Sequence, residues 1–116
     1  MKIVVQGTNE FNDYNVFLRA MGIGLSSMQQ NDDEYIVYSL GPSNINSFVS
    51  EFCNISEKGL KARGKKVKFY KVTPDWVVEN IYDINYYAYL SKPKERISKL
   101  VSFAQDSNVE VGIFSH

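Results

Sequence analysis

Tyr35-Ile-Val-Tyr-Ser-Leu-Gly-Pro-Ser-Asn-Ile-Asn-Ser-Phe-Val-Ser-Glu-Phe52 reads as a buried strand, a tight Gly-Pro turn and a helix that opens on small polar residues. Ile45, Phe48, Val49 and Phe52 fall at i, i+3, i+4 and i+7, which is one apolar stripe of a helix. A turn of this kind leaves backbone N–H groups unpaired at the helix N-terminus, where a phosphate or carboxylate can be held. A second strand-to-glycine turn, Ile3-Val-Val-Gln-Gly7-Thr8-Asn9, stands near the start. Two such turns at the carboxyl ends of strands point to the ligand crevice of an open α/β sheet.

The rest of the chain alternates in the same way. Lys2–Gln6 is a short β-branched run that reads as a central strand. Asn12 and Asp13 are placed to cap a helix with Val16, Phe17, Ala20 and Met21 on its apolar side, and Gln29–Glu34 reads as a polar loop. After the second helix, Gly59 and Gly64 are expected to break or end it. Val67–Val72 reads as a third strand, stopped by Thr73-Pro74, because proline donates nothing to a ladder. Val77–Leu90 has no clear period and carries Tyr82, Tyr86, Tyr87 and Tyr89. Ser91-Lys92-Pro93 is expected to start a last helix with Ile97, Leu100, Val101 and Ala104 inward, before a strand at Val109–Phe114. Strands alternating with helices favour a parallel sheet covered on both faces. In the Rossmann half-fold order the first strand and the 109–114 strand would be neighbours, with Gly7–Asn9, Gly41–Asn44 and Ser115–His116 on one edge.

Composition narrows the function classes. A length of 116 residues suits one domain, and 44% hydrophobic with 22% charged residues is ordinary for a globular protein. No apolar run approaches the roughly 18–20 residues that span a bilayer, and the opening residues are too short for a signal peptide. One cysteine, Cys53, excludes an internal disulfide, so a cytoplasmic setting is expected. The zero net charge divides into −4 for residues 1–58 and +4 for residues 59–116, which can orient a partner or a second copy.

Lys2-Ile-Val-Val-Gln-Gly7-Thr-Asn with Asp13-Tyr14, then Ser39-Leu-Gly-Pro-Ser-Asn-Ile-Asn46, then Thr73-Pro-Asp75-Trp76 resembles, in order, small Rossmann-like proteins of the SLOG superfamily. That group is related to the LOG nucleotide-processing enzymes. Arg96-Ile-Ser-Lys-Leu100 and Val109–Phe114 echo its later landmarks. The resemblance implies a three-layer Rossmann-like fold and a nucleotide-related ligand. Yet Asn9 stands where the family has arginine, Leu40 and Asn44 where it has glycines, and Asn46 where it has aspartate. The Pro-Gly-Gly-x-Gly-Thr signature of the LOG enzymes is absent. The resemblance therefore implies the fold with altered ligand contacts, and the small size with Asn, Lys and Tyr enrichment suits an accessory protein of a phage or bacterium.

Each chemical motif has a plainer use. The Gly41–Asn44 turn serves either a phosphate or only a strand–helix connection. His116, the single histidine, is the last residue, where nothing positions it for catalysis. Cys53 beside Phe52 belongs to a packed helix face. Lys61–Lys71 holds six basic residues and two aromatics, either a nucleic-acid patch or the solvated side of an edge strand.

The expectation is one α/β domain over 1–116: three layers, Rossmann-like, with a mainly parallel sheet of four or five strands. It is a non-catalytic binding protein without cofactor or metal. A nucleotide-related ligand would touch Gly7, Thr8, Asn9, Gly41, Pro42, Ser43 and Asn44. A protein partner or second copy would meet Trp76, Tyr82, Tyr86, Tyr87 and Tyr89. The alternatives are a residual nucleotide hydrolase or lyase using Asn9, Ser43 or Asn44, and nucleic-acid binding through residues 61–71.

Overall fold

The computed structural model describes residues 1–26, 33–93 and 95–115; part of the expected 29–34 loop and all of His116 lie outside them. The β-branched run at the start forms β1 (Lys2–Gly7), and the quoted stretch forms β2 (Glu34–Gly41) and α2 (Ser43–Ala62). Between them lies α1 (Tyr14–Ser26), whose first turn is capped by Asp13 Oδ1 accepting from the Val16 amide at 3.0 Å. The order continues with β3 (Lys66–Lys71), α3 (Pro74–Glu79), a 3₁₀ turn (Ile81–Asp83), β4 (Tyr86–Ser91), α4 (Lys99–Asp106) and β5 (Glu110–Ser115). All five strands are parallel, in the order β3-β2-β1-β4-β5. The chain builds outward from β1 to β3, then returns beside β1 to add β4 and β5. This is the Rossmann-like arrangement, with its reversal between β1 and β4.

Alternation along the strands sorts the core into two layers. Ile3, Val5, Tyr35, Val37, Tyr86 and Leu90 pack beneath α1 and α2 with Phe17, Ile45 and Phe52. Val4, Ile36, Tyr38, Tyr87 and Tyr89 face the other side, against Val77, Ile81, Val101 and Ala104. Strands buried on both faces lose the one-sided polar pattern and read as continuous apolar runs. Among the described residues, no helix is long and apolar enough to cross a membrane.

Four expectations are corrected. Val77–Leu90 is regular, and its second half is central strand β4, where Tyr86, Tyr87 and Tyr89 are buried. They are core residues, not an interaction surface. Tyrosine is tolerated there because its hydroxyl finds a partner: Tyr87 donates to Gln6 Oε1, and Tyr89 donates to the Arg96 carbonyl at 3.1 Å. The neighbour of β1 is β4, so the 110–115 strand is an edge strand. Ser91 ends β4 rather than starting a helix; α4 begins at Lys99, capped by Ser98 Oγ accepting from the Val101 amide at 3.3 Å. Lastly, α2 runs through Gly59 to Ala62, and the chain then turns at Gly64 with φ of 76°. The edge-strand reading of β3 holds, with Lys68 and Tyr70 on its exposed side.

Candidate functional site

All carboxyl ends of a parallel sheet meet one edge, and here both glycine turns arrive on it. The Asn44 amide nitrogen in the first turn of α2 donates to the Phe11 carbonyl at 2.6 Å and the Thr8 carbonyl at 3.3 Å. The expected ligand residues are therefore brought together, but by bonds between themselves. Gly7 has a packing duty: a Cβ there would lie 2.4 Å from Ile45 Cδ1, and Ile45 is fully buried. The missing side chain lets α2 approach β1.

At the β1/β4 reversal a second set of bonds comes from the β4–α4 connection. Glu95, in the β4–α4 connection, accepts from the Thr8 hydroxyl at 2.9 Å and from the Lys92 amide at 2.7 Å. Gln6 Oε1 accepts from the Ser98 hydroxyl at 3.2 Å as well as from Tyr87. Ser91 and Ser115 hydroxyls meet at 3.3 Å across β4 and β5. An acidic side chain at this point repels an incoming phosphate. Among the described residues, the polar groups of the β1/β4 end are bonded to one another, with the Glu95 carboxylate among them.

The β2/β3 end differs. Gly41 has φ of +84°, which favours glycine, and the Gly41–Pro42 peptide is cis. The Ser39 hydroxyl donates to Asn46 Oδ1 at 2.5 Å and accepts from the Gly41 amide at 3.3 Å, which holds the turn from beneath. Pro42 at the N-cap of α2 has no side-chain acceptor, and no acidic residue stands in the first turn. This helix of 20 residues thus starts with its positive end uncompensated by a side chain. Ser43 opens onto a groove of about 700 Å³ that runs along α2 beside β3. Ser43, Asn46, Ser47, Ser50 and Asn54 line it from the helix, Phe69 and Lys71 from the strand. These polar residues repeat at helical spacing opposite the apolar stripe, a pattern present in the sequence but not singled out there. Lys71, the lysine of this lining, stands at the same end as Ser43, because it pairs in register with Ser39.

A second open groove, of about 650 Å³, lies on the other face of the same two strands, against Tyr38, Tyr70 and Trp76. Of the expected aromatic surface, Trp76 is half-buried here and Tyr82 is 87% exposed on the 3₁₀ turn. Asn9 is exposed in the β1–α1 connection.

The remaining reactive groups are core groups. Burial pushes the Cys53 thiol up to about 11, which keeps it protonated and inert at neutral pH. Burial, then the neighbouring Tyr70, raises the Tyr38 phenol, which keeps it a neutral donor. Among the described residues, no group of His, Cys, Asp and Glu is placed to hold a metal ion. No family model, curated protein or solved structure matches the chain.

Proposed function

We propose that this chain is a non-catalytic binding protein for a small nucleotide-related anion, held at the β2/β3 end of the carboxyl edge. The observation that carries this reading is the opening of α2 at Ser43, without a side-chain cap, into a groove shared with Lys71. The Ile45 and Asn46 amides are bonded to the Pro42 carbonyl, so the Ser43 and Asn44 amides, the helix dipole and the lysine are what favour a phosphate at that end. Glu51 also lines the groove, but eight residues along a helix is about 12 Å from Ser43. There, with Ser50 and Asn54, it offers acceptors and donors for sugar hydroxyls rather than opposing the phosphate. Gly41, Pro42 and Ser43 keep the role expected of them, whereas Gly7, Thr8 and Asn44 support the site through packing and bonds.

The test is a thermal-shift panel of nucleoside monophosphates, cyclic nucleotides and ADP-ribose, with inorganic phosphate alongside. At ten times Kd a ligand adds about 1.4 kcal/mol, or several degrees in a domain of this size. Ser43→Asp removes the shift while leaving the helix intact, since an acid in the first turn favours α2 itself. Lys71→Glu removes it as well. A flat response across the whole panel at millimolar ligand overturns the proposal.

A further inference from the structure

Right-handed α/β folding normally covers both faces of every inner strand. Here α3 has only six residues, and it leaves part of the β2/β3 face open. The uncovered floor is aromatic. Tyr38 and Tyr70 are directly opposite in register, with ring centroids 5.8 Å apart and planes within 22° of parallel. Trp76 closes on Tyr38 from the side at 4.3 Å. Tyr70, the ring on the edge strand, is held against Tyr38 and is 48% exposed.

The charge around this floor is mixed, with the Asp83 carboxylate acting on Tyr38 from one side and lysines on the other. Lys2 and Lys71 stand on its rim with Glu34, and Glu34 is paired with Lys68 at 3.2 Å. At the amino end of β3, a separate groove of about 380 Å³ between the strand and the end of α2 is lined by Lys61, Lys66 and Lys68, with Glu57 as its acid. Six residues of strand rise about 20 Å, so cations and stacked rings run side by side along the whole edge strand. Lysines alone would be explained by protection of an exposed edge. A stacked, half-exposed tyrosine beside them is not: it adds apolar area to the edge that the lysines shield.

We propose that the open β2/β3 face binds single-stranded nucleic acid, with an unpaired base stacked on Tyr70 and the phosphates drawn to Lys68 and its neighbours. A base continues the Tyr38–Tyr70 pile, and such stacking is indifferent to sequence because every base presents a flat face. The lysines supply the salt-dependent part of the affinity. This site lies on the opposite face of the sheet from the α2 groove; Lys71 lines both, so Ser43→Asp and Tyr70→Ala are the variants that separate them.

The experiment titrates the intact protein into labelled oligo(dT) and oligo(rU) 12-mers at 50 and 200 mM salt, following anisotropy. The chain has one tryptophan, Trp76, so its fluorescence reports on this groove alone. Binding to at least one strand with quenching of Trp76 is expected, weakening about twenty-fold between the two salt concentrations for three phosphate contacts. Tyr70→Ala is expected to weaken binding about tenfold or more, Tyr70→Phe to preserve it, and Lys68→Ala to flatten the salt dependence. Ser43→Asp is expected to leave it unchanged. Unaltered thermal unfolding of the Tyr70 variants shows that they fold. A tighter complex with oligo(rU) or with oligo(dT) identifies the sugar recognised and supports the proposal in either case. No binding to either strand at 100 µM protein, indifference to Tyr70→Ala, or equal binding of a duplex or a polyglutamate competitor overturns it.

Discussion

The two ends of the carboxyl edge are built from the same kind of strand-to-helix turn and end up opposite in character. Between β1 and β4, Thr8, Glu95, Lys92 and Asn44 bond to one another across the gap, and Gly7 lets α2 sit close against the strand. Between β2 and β3, the turn is held from below by Ser39 and Asn46, and its outer side is left to solvent and Lys71. The reversal point of an open α/β sheet is where a crevice is expected. In this molecule the residues at that point are spent on holding loops together, and the accessible polar groups lie one strand further out.

Five substitutions sharpen or break this contrast. Gly7→Val places a side chain into fully buried Ile45 and is expected to cost roughly 3 kcal/mol in urea unfolding, or to prevent folding. A neutral result would remove the packing role of Gly7. Asn44→Ala removes the side-chain donor of the Phe11 carbonyl and one of two donors of the Thr8 carbonyl, and is expected to cost about 1–2 kcal/mol, with an unchanged m-value. Thr8→Val keeps the shape of the side chain and deletes its bond to Glu95; a loss of about 1 kcal/mol is expected by the same measurement. At the open end, Tyr70→Ala is expected to cost less than about 1 kcal/mol, since it removes only one cross-strand ring contact from an edge. Lys68→Ala is expected to leave the unfolding midpoint where it was, because its pair with Glu34 is solvated. If the open-end substitutions proved as costly as Gly7→Val, the β2/β3 end would be structural too.

Much of the architecture is readable from local pattern. The stripe at Ile45, Phe48, Val49 and Phe52, the run at Ile3–Val5 and the stop at Thr73-Pro74 each produced the expected element. The segment from Val77 to Leu90 did not read correctly, because tyrosine has an apolar body and a polar tip. Whether it suits a surface or a core depends on what its hydroxyl meets. For Tyr87 and Tyr89 those partners are Gln6 and the Arg96 carbonyl, and the first of them is 81 residues away. Missing β4 also misplaced β5 beside β1. Of the candidate site, the shared edge of Gly7 and Gly41 followed from strand–helix alternation alone. The closing role of Glu95 did not, since its bond to Thr8 spans 87 residues and no local spacing marks it.

The sequence by itself determined four of the five strands and the helices between most of them, and hence a layered parallel sheet whose glycine turns share one edge. That follows from short-range physics: hydrophobic period, capping residues and the backbone freedom of glycine. Only the tertiary structure decided which end of that edge is open. A hydroxyl, an amide or a carboxylate is equally at home bonded to water or to another side chain. The choice is made by what the fold brings within bonding distance: Thr8 and Gln6 at β1/β4 meet protein partners, while Ser43 and Lys71 at β2/β3 line an open groove.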